Sequence, residues 1–220
     1  GLTTQYATTP TNQAVVVGIG SDNKSLTVRV EAGYPIDDWA SRGKPFPCGI
    51  FATGQRTWRP GTGMLTPAAI NRTGTPQEFA LHIAPGALPS VGFEQIAVGD
   101  QLGCRPRATA HTFIVKNCSG STFHTISLLG GPGFGFFEDG GGGSSNRYLN
   151  CSILRPPTPA GAVHAPALST AADGLHSSEA RRGPIIEGCV FENMGDDAIA
   201  IHGTYHLVVA APDRTTLVVA

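Results

Sequence analysis

"PIIEGCVFENMGDDAIAIHG", residues 184–203, holds two short apolar strands joined by a bend, with paired aspartates at the mouth of the second. Asp196 and Asp197 run straight into Ala198, Ile199, Ala200 and Ile201, where the hydrophobic pattern calls for a buried strand. Unpaired charge is costly in such a place, so the pair needs a reason. The same texture occurs upstream. "HTFIVKNCSGSTFHTISLLGGPGFGFFEDG" (111–140), then "RYLNCSILRPP" (147–157) with "ADGLHSSE" (172–179), each combine an apolar strand, a bend and a second small apolar strand. Ile126 and Ile153 are 27 residues apart; Ile153 and Val190 are 37 apart, or 23 without the 14 Pro/Ala-rich residues 156–169. Repeats of about 20–30 residues without helix signals predict a right-handed parallel β-helix over 106–205, because no single coil can bury its own apolar face.

Working outward, residues 1–105 read as a β-rich N-terminal region. Residues 13–32 alternate and turn at Ser21-Asp22-Asn23, the pattern of a β-hairpin, whereas 33–110 is irregular and punctuated by Pro and Gly. Trp39 and Trp58 suit a core, and Asp37-Asp38 a solvated turn. Residues 206–220 form a hairpin around Ala211-Pro212-Asp213-Arg214, the expected start of an attached or inserted β-hairpin or β-barrel domain. The chain stops within the apolar run "TTLVVA" and is expected to be part of a longer protein. The fold class is all-β.

Composition agrees. The 220 residues include 29 Gly and 17 Pro, and 14% are charged, against averages of about 7%, 5% and 25%. Such a chain is rich in turns and poor in helix surface. A net charge of −1 disfavours nucleic acid and anionic membrane as partners. No apolar run approaches the ~18 residues of a membrane span. Four asparagines, Asn23, Asn71, Asn117 and Asn150, lie in Asn-x-Ser/Thr sequons, which leans towards a secreted, extracellular glycoprotein. Residues 1–4 lack a signal-peptide pattern, so any such segment is expected to have been removed. The five cysteines show no Cys-x-x-Cys spacing, against a zinc site. Cys118, Cys151 and Cys189 are expected to point inward and stack on successive coils, since free Cys is among the most buried residue types. One or two disulfides are the alternative.

Register addresses the aspartates. Laying "GFFED" (135–139), "ADGLH" (172–176) and "DDAIA" (196–200) side by side puts Asp173 one coil, ~4.8 Å, from Asp196-Asp197. Carboxylates that close raise one another's pKa, a penalty accepted for chemistry or for a cation. Inverting glycoside hydrolysis needs one carboxyl to protonate the leaving oxygen and another to activate water, ~6.5–9.5 Å apart. His176 and His202, on neighbouring strands, are candidates to bind sugar hydroxyls or tune the acids, and Glu138 is a subsite candidate one coil earlier. The plainer readings are turn aspartates, a Ca²⁺ site, and a satisfied His202 packed beside Gly203 and Tyr205. The run "EDGGGG" (138–143) lacks the Gly-Lys-Ser/Thr ending of a phosphate loop and reads as a bend.

"AADGLHSS" (171–178) followed by "GCVFENMGDDAIAIHGTY" (188–205) resembles the α-1,3-galactosidases of glycoside hydrolase family 110, and "VGDQL" (98–102) with 112–136 resembles their preceding coils. A shorter motif, "GDDAIAI" (195–201), is similar to the polygalacturonases of family 28, with Ala198 in place of their Cys. The galactosidase resemblance spans 98–208. It implies a parallel β-helix with inserted β-barrel domains and a metal-independent, inverting exo-enzyme without cofactor, most naturally on α-galactosides. It makes Asp196 the general acid and Asp173 with Asp197 the pair that positions and deprotonates water. The partner would be an oligosaccharide or polysaccharide, with the remainder of the chain or a second fragment completing the protein. Two further classes stand beside it: a non-catalytic glycan-binding β-helix, and a lyase or epimerase on uronates using Arg181-Arg182.

Overall fold

The computed structural model describes residues 12–22, 24–36, 47–55, 57–83, 92–104, 110–140 and 144–220. Asn23, Asp37, Asp38, Trp39 and Gly141 to Gly143 lie outside them. The protein is all-β, with one 3-10 turn, Phe93–Gln95, among the described residues.

Six strands make an antiparallel sheet: β1 (Asn12–Ile19), β2 (Ser25–Val30), β3 (Cys48–Phe51), β4 (Ala69–Arg72), β5 (Glu78–His82) and β6 (Gln101–Cys104), in the order β3-β6-β1-β2-β5-β4. The alternation of 13–32 makes the β1–β2 hairpin, with a bulge between Val16 and Gly18. Asp22 closes its turn by accepting from the Lys24 N–H at 2.9 Å. The stretch that reads as irregular supplies four further strands, because each is only four or five residues long. One face buries Ala14, Val16, Leu26, Val28, Ile50, Phe79, Leu81 and Leu102. Cys48 and Cys104 pair directly across β3 and β6 and are joined by a disulfide. Asp100, fully buried before β6, is neutralised by Arg59 through two hydrogen bonds of 2.5 Å.

From Phe113 the pairing changes to parallel. The strands are β7 (Phe113–Lys116), β8 (Thr122–His124), β9 (Ser127–Leu129), β10 (Phe136–Asp139), β11 (Arg147–Leu149), β12 (Ser152–Leu154), β13 (Leu175–Ser178), β14 (Ile185–Glu187), β15 (Val190–Phe191) and β16 (Ile199–His202). They form three sheets, β7-β10-β13-β16, β8-β11-β14 and β9-β12-β15. The chain visits the three in turn, completes three circuits and begins a fourth. Phe113, Phe123, Phe136, Tyr148, Ile153 and Leu175 meet between the sheets. At the bend before β9, β12 and β15 stand Thr125, Asn150 and Gly188, with φ of 56°, 51° and 63°. Each left-handed residue turns its circuit at the same place. Residues 155–169 leave the sheets and pack on the antiparallel sheet, where the Gln13 amide accepts from the Ala167 N–H at 2.7 Å and donates to the Ala165 carbonyl at 3.3 Å. The hairpin of β17 (Val208–Ala210) and β18 (Val218–Val219) follows, exposed at every residue.

Two expected registers are corrected. Ile153 lies opposite Leu128 and Phe191, not Ile126 and Val190. Cys151 and Cys189 do occupy one position on successive circuits, but Ile126, not Cys118, precedes them, since the Ser152 N–H bonds the Ile126 carbonyl and the Val190 N–H bonds the Cys151 carbonyl. All three thiols are free; Cys151 is buried, while Cys118 and Cys189 are partly exposed.

Candidate active site

The site grows from the sheet β7-β10-β13-β16. Alternation along a strand sends successive side chains to opposite faces. Phe136, Leu175 and Ile199 form one inward row; Phe137, His176 and Ala200 form the outward row beside it. Asp139, Ser178 and His202 form the next outward row.

Asp173 and Asp197 come together by register. The Gly174 N–H donates to the Asp197 carbonyl and the Gly135 N–H donates to the Asp173 carbonyl. The two aspartates therefore hold one position on adjacent circuits, with Phe134 and then His111 continuing the row. Asp196 is one residue further out. Asp173 is 6% exposed, whereas Asp196 and Asp197 are exposed.

Asp173 is anchored. Its Oδ2 lies 2.6 Å from His176 Nδ1, and His176 Nε2 lies 2.9 Å from His202 Nε2. His202 Nδ1 donates to the Gly203 carbonyl at 3.1 Å. The rings carry the line sideways: His111 stacks on Phe134 at 4.6 Å, Phe134 on His176 at 4.1 Å, and His202 on Tyr205 at 5.9 Å. His111 Nδ1 accepts the Phe134 N–H. Burial, then the neighbouring His176, hold the His111 pKa below the usual histidine range.

Glu138 is not brought to this face. The expected alignment of "GFFED" is two residues out of step: Glu138 lies opposite Ser177, which in turn lies opposite Ile201. Its side chain points inward, 1% exposed, with Asn146 Nδ2 donating to Oε1 at 2.9 Å. Burial raises its pKa. His111, Phe134 and Phe137 belong to the site and were not singled out by sequence. The signal that finds them is register, since they fall in the rows of Asp173 and His176.

Arg181 and Arg182 are exposed beyond the far end of β13 from Asp173. Lys116, on the outward row of His202, is held by Asp139 at 2.9 Å. Among the described residues, no group of three or more His, Cys, Asp or Glu side chains is arranged to hold a metal ion. A cavity of about 220 Å³ lies elsewhere, between the antiparallel sheet and residues 155–167, lined by Phe51, Gln101, Arg155 and His164. None of the aspartates borders it. Compared with models of known families and with curated proteins, the chain finds no match.

Proposed function

We propose that the protein is a secreted glycoside hydrolase, an inverting exo-glycosidase most suited to α-galactosides, built on a right-handed parallel β-helix. The three parallel sheets visited in turn support that architecture, since each circuit stacks in register on the one before. The observation that carries the function is the meeting of Asp173 with the Asp196-Asp197 pair on adjacent circuits of one outward-facing site. Asp173 and Asp196 are offset by one circuit, ~4.8 Å, and one residue, ~3.3 Å. Side chains diverging from that offset reach the ~6.5–9.5 Å that an inverting pair needs around a sugar and a water.

The roles follow the chemistry. Asp196 is exposed to donate a proton to the leaving oxygen; Asp173, fixed by His176, and Asp197 beside it position and deprotonate water. His176 holds Asp173 and His202 backs His176, and the surrounding rings supply apolar surface to the sugar. Lys116 is neutralised by Asp139 and the arginines lie beyond the far end of β13, which favours a neutral sugar over a uronate. The Cys48–Cys104 disulfide supports an oxidising compartment.

A non-catalytic glycan-binding protein is the second reading, favoured by the ring row from His111 to Tyr205. The test is hydrolysis of aryl α- and β-galactosides and of polygalacturonate, with product anomers followed by NMR and a chelator control. Inversion that survives chelation is the expected result, and Asp173→Asn or Asp197→Asn should cut turnover by about 10²-fold or more. Asp196→Asn should recover in part on substrates with good leaving groups. Retention, or sugar binding without hydrolysis, would overturn the proposal.

A further inference from the structure

Three hydrogen bonds run end to end from a buried carboxylate to the surface: Asp173 Oδ2 to His176 Nδ1, His176 Nε2 to His202 Nε2, and His202 Nδ1 to the Gly203 carbonyl. Their protons can be counted. A carbonyl only accepts, so His202 Nδ1 carries a hydrogen. Two imidazole nitrogens 2.9 Å apart bond only if one hydrogen lies between them. The carboxyl–imidazole bond holds a third. Two neutral imidazoles supply two nitrogen-bound hydrogens, so with an ionised Asp173 one of the three bonds would have none.

We propose that Asp173, His176 and His202 form a proton relay that holds three protons as a unit and links the candidate active-site carboxylate to solvent. The unit is a carboxylate with one imidazolium, or a carboxyl with two neutral imidazoles. Both forms have zero net charge and interconvert by moving hydrogens along the bonds.

The surroundings favour the charge-separated form. His111 faces His176 across the Phe134 ring and is neutral, its Nδ1 accepting a backbone N–H. Lys116 and Asp139, on the row of His202, neutralise each other. Glu179, whose N–H donates to the His202 carbonyl, accepts from Thr204 at 3.0 Å. Asp197 adds negative charge from the neighbouring circuit, and Tyr205 covers His202 with a neutral ring. No unpaired cation among these groups competes with the imidazolium.

Its use in turnover rests on the glycosidase reading. Asp173 takes a proton from the attacking water, whose O–H pair becomes the new bond to the sugar carbon. The glycosidic pair leaves with the departing oxygen, which takes the Asp196 proton. The relay then holds four protons and releases one from the His202 ring to solvent, while Asp196 regains one from solvent. His176 and His202 act through Asp173 and are positioning residues.

The decisive measurement is ¹⁵N NMR of the labelled protein across pH, resolving each histidine nitrogen. Both Nδ1 atoms should be protonated, the two Nε2 atoms should share one hydrogen, and the two rings should titrate together. His202→Gln, which can still donate to His176 Nε2, should make His176 titrate alone and should lower kcat by about 10-fold or more with little change in KM. Independent titration of the two rings in the unsubstituted protein, or a bare His202 Nδ1, would overturn the relay. Shared titration without glycoside hydrolysis would leave the relay standing and remove the glycosidase reading. Hydrolysis with independent titration would do the reverse.

Discussion

Glu138 is the residue whose setting departs furthest from its sequence pattern. It stands in an inward row with Val115, Ser177 and Ile201, and neither its Oε2 nor the nearby Tyr148 hydroxyl reaches a hydrogen bond of normal geometry. Burial drives its pKa above the ordinary carboxyl value, against the opposing Asn146 hydrogen bond and the nearby Tyr148 hydroxyl. A raised folded-state pKa means that the folded protein holds this proton more tightly than the unfolded chain, where glutamate titrates near 4.3. The associated stability is fully present below the unfolded value and is lost as pH rises through the folded one. Glu138→Gln removes the ionisation and keeps the amide-sized polar group. In urea denaturation from pH 4 to pH 8, the unsubstituted protein should lose stability relative to the variant as pH rises. Parallel curves would show that Glu138 does not carry this pH dependence.

At the scale of elements, the bend before β15 shows how one circuit is aligned with the next. Thr125, Asn150 and Gly188 take left-handed backbone at equivalent places, and a Cβ on Gly188 would run into Asn150 Oδ1. Left-handed backbone costs an L-residue with a Cβ about 1–2 kcal/mol. Gly188→Ala should therefore lower unfolding free energy by about that much, more if Asn150 cannot move aside. The change belongs to β14, β15 and the row of Cys151 and Cys189. Thermal denaturation should register it, and an unchanged midpoint would mean that the bend relaxes freely. The aspartates at the mouth of β16 depend on the same alignment, because Asp197 faces Asp173 only while these circuits keep their register.

For the molecule as a whole, the joint between the antiparallel sheet and the stacked circuits runs through residues 155–169. Gln13 is 1% exposed and serves it with both ends of its amide, while Phe51, Trp58, Ala167 and Leu168 pack beside it. Gln13→Leu keeps the volume but leaves the Ala167 N–H and the Ala165 carbonyl without partners, at about 1–3 kcal/mol for each group that stays buried. Limited proteolysis should then cut within 155–169 faster, with β10–β13 pairing and the aspartates undisturbed. Cleavage at the original rate would mean that the remaining contacts, among them the Tyr34 hydroxyl on the His164 carbonyl and His164 on Glu31, hold the joint without Gln13.

Local pattern alone was enough for the all-β class, the β1–β2 hairpin, the excursion near 156–169 and the pairing of Asp173 with Asp197. Each rests on nearest-neighbour chemistry: alternation, turn residues, and a spacing close to one circuit. Short strands such as β3 and β4 escaped because four residues carry too little periodicity, and only their long-range partners define them. The two-residue slip that set Glu138 beside Leu175 rather than Ser177 has the same origin. Side chains alternate with a period of two, so an error of two keeps the face but changes the neighbours, and a strand of four residues does not correct it. Which face of β10 is buried, which rings line up from His111 to Tyr205, and that His176 meets His202 diagonally across two circuits were decided by tertiary stacking. Backbone hydrogen bonds between circuits set that register, and they join residues 22 to 40 positions apart.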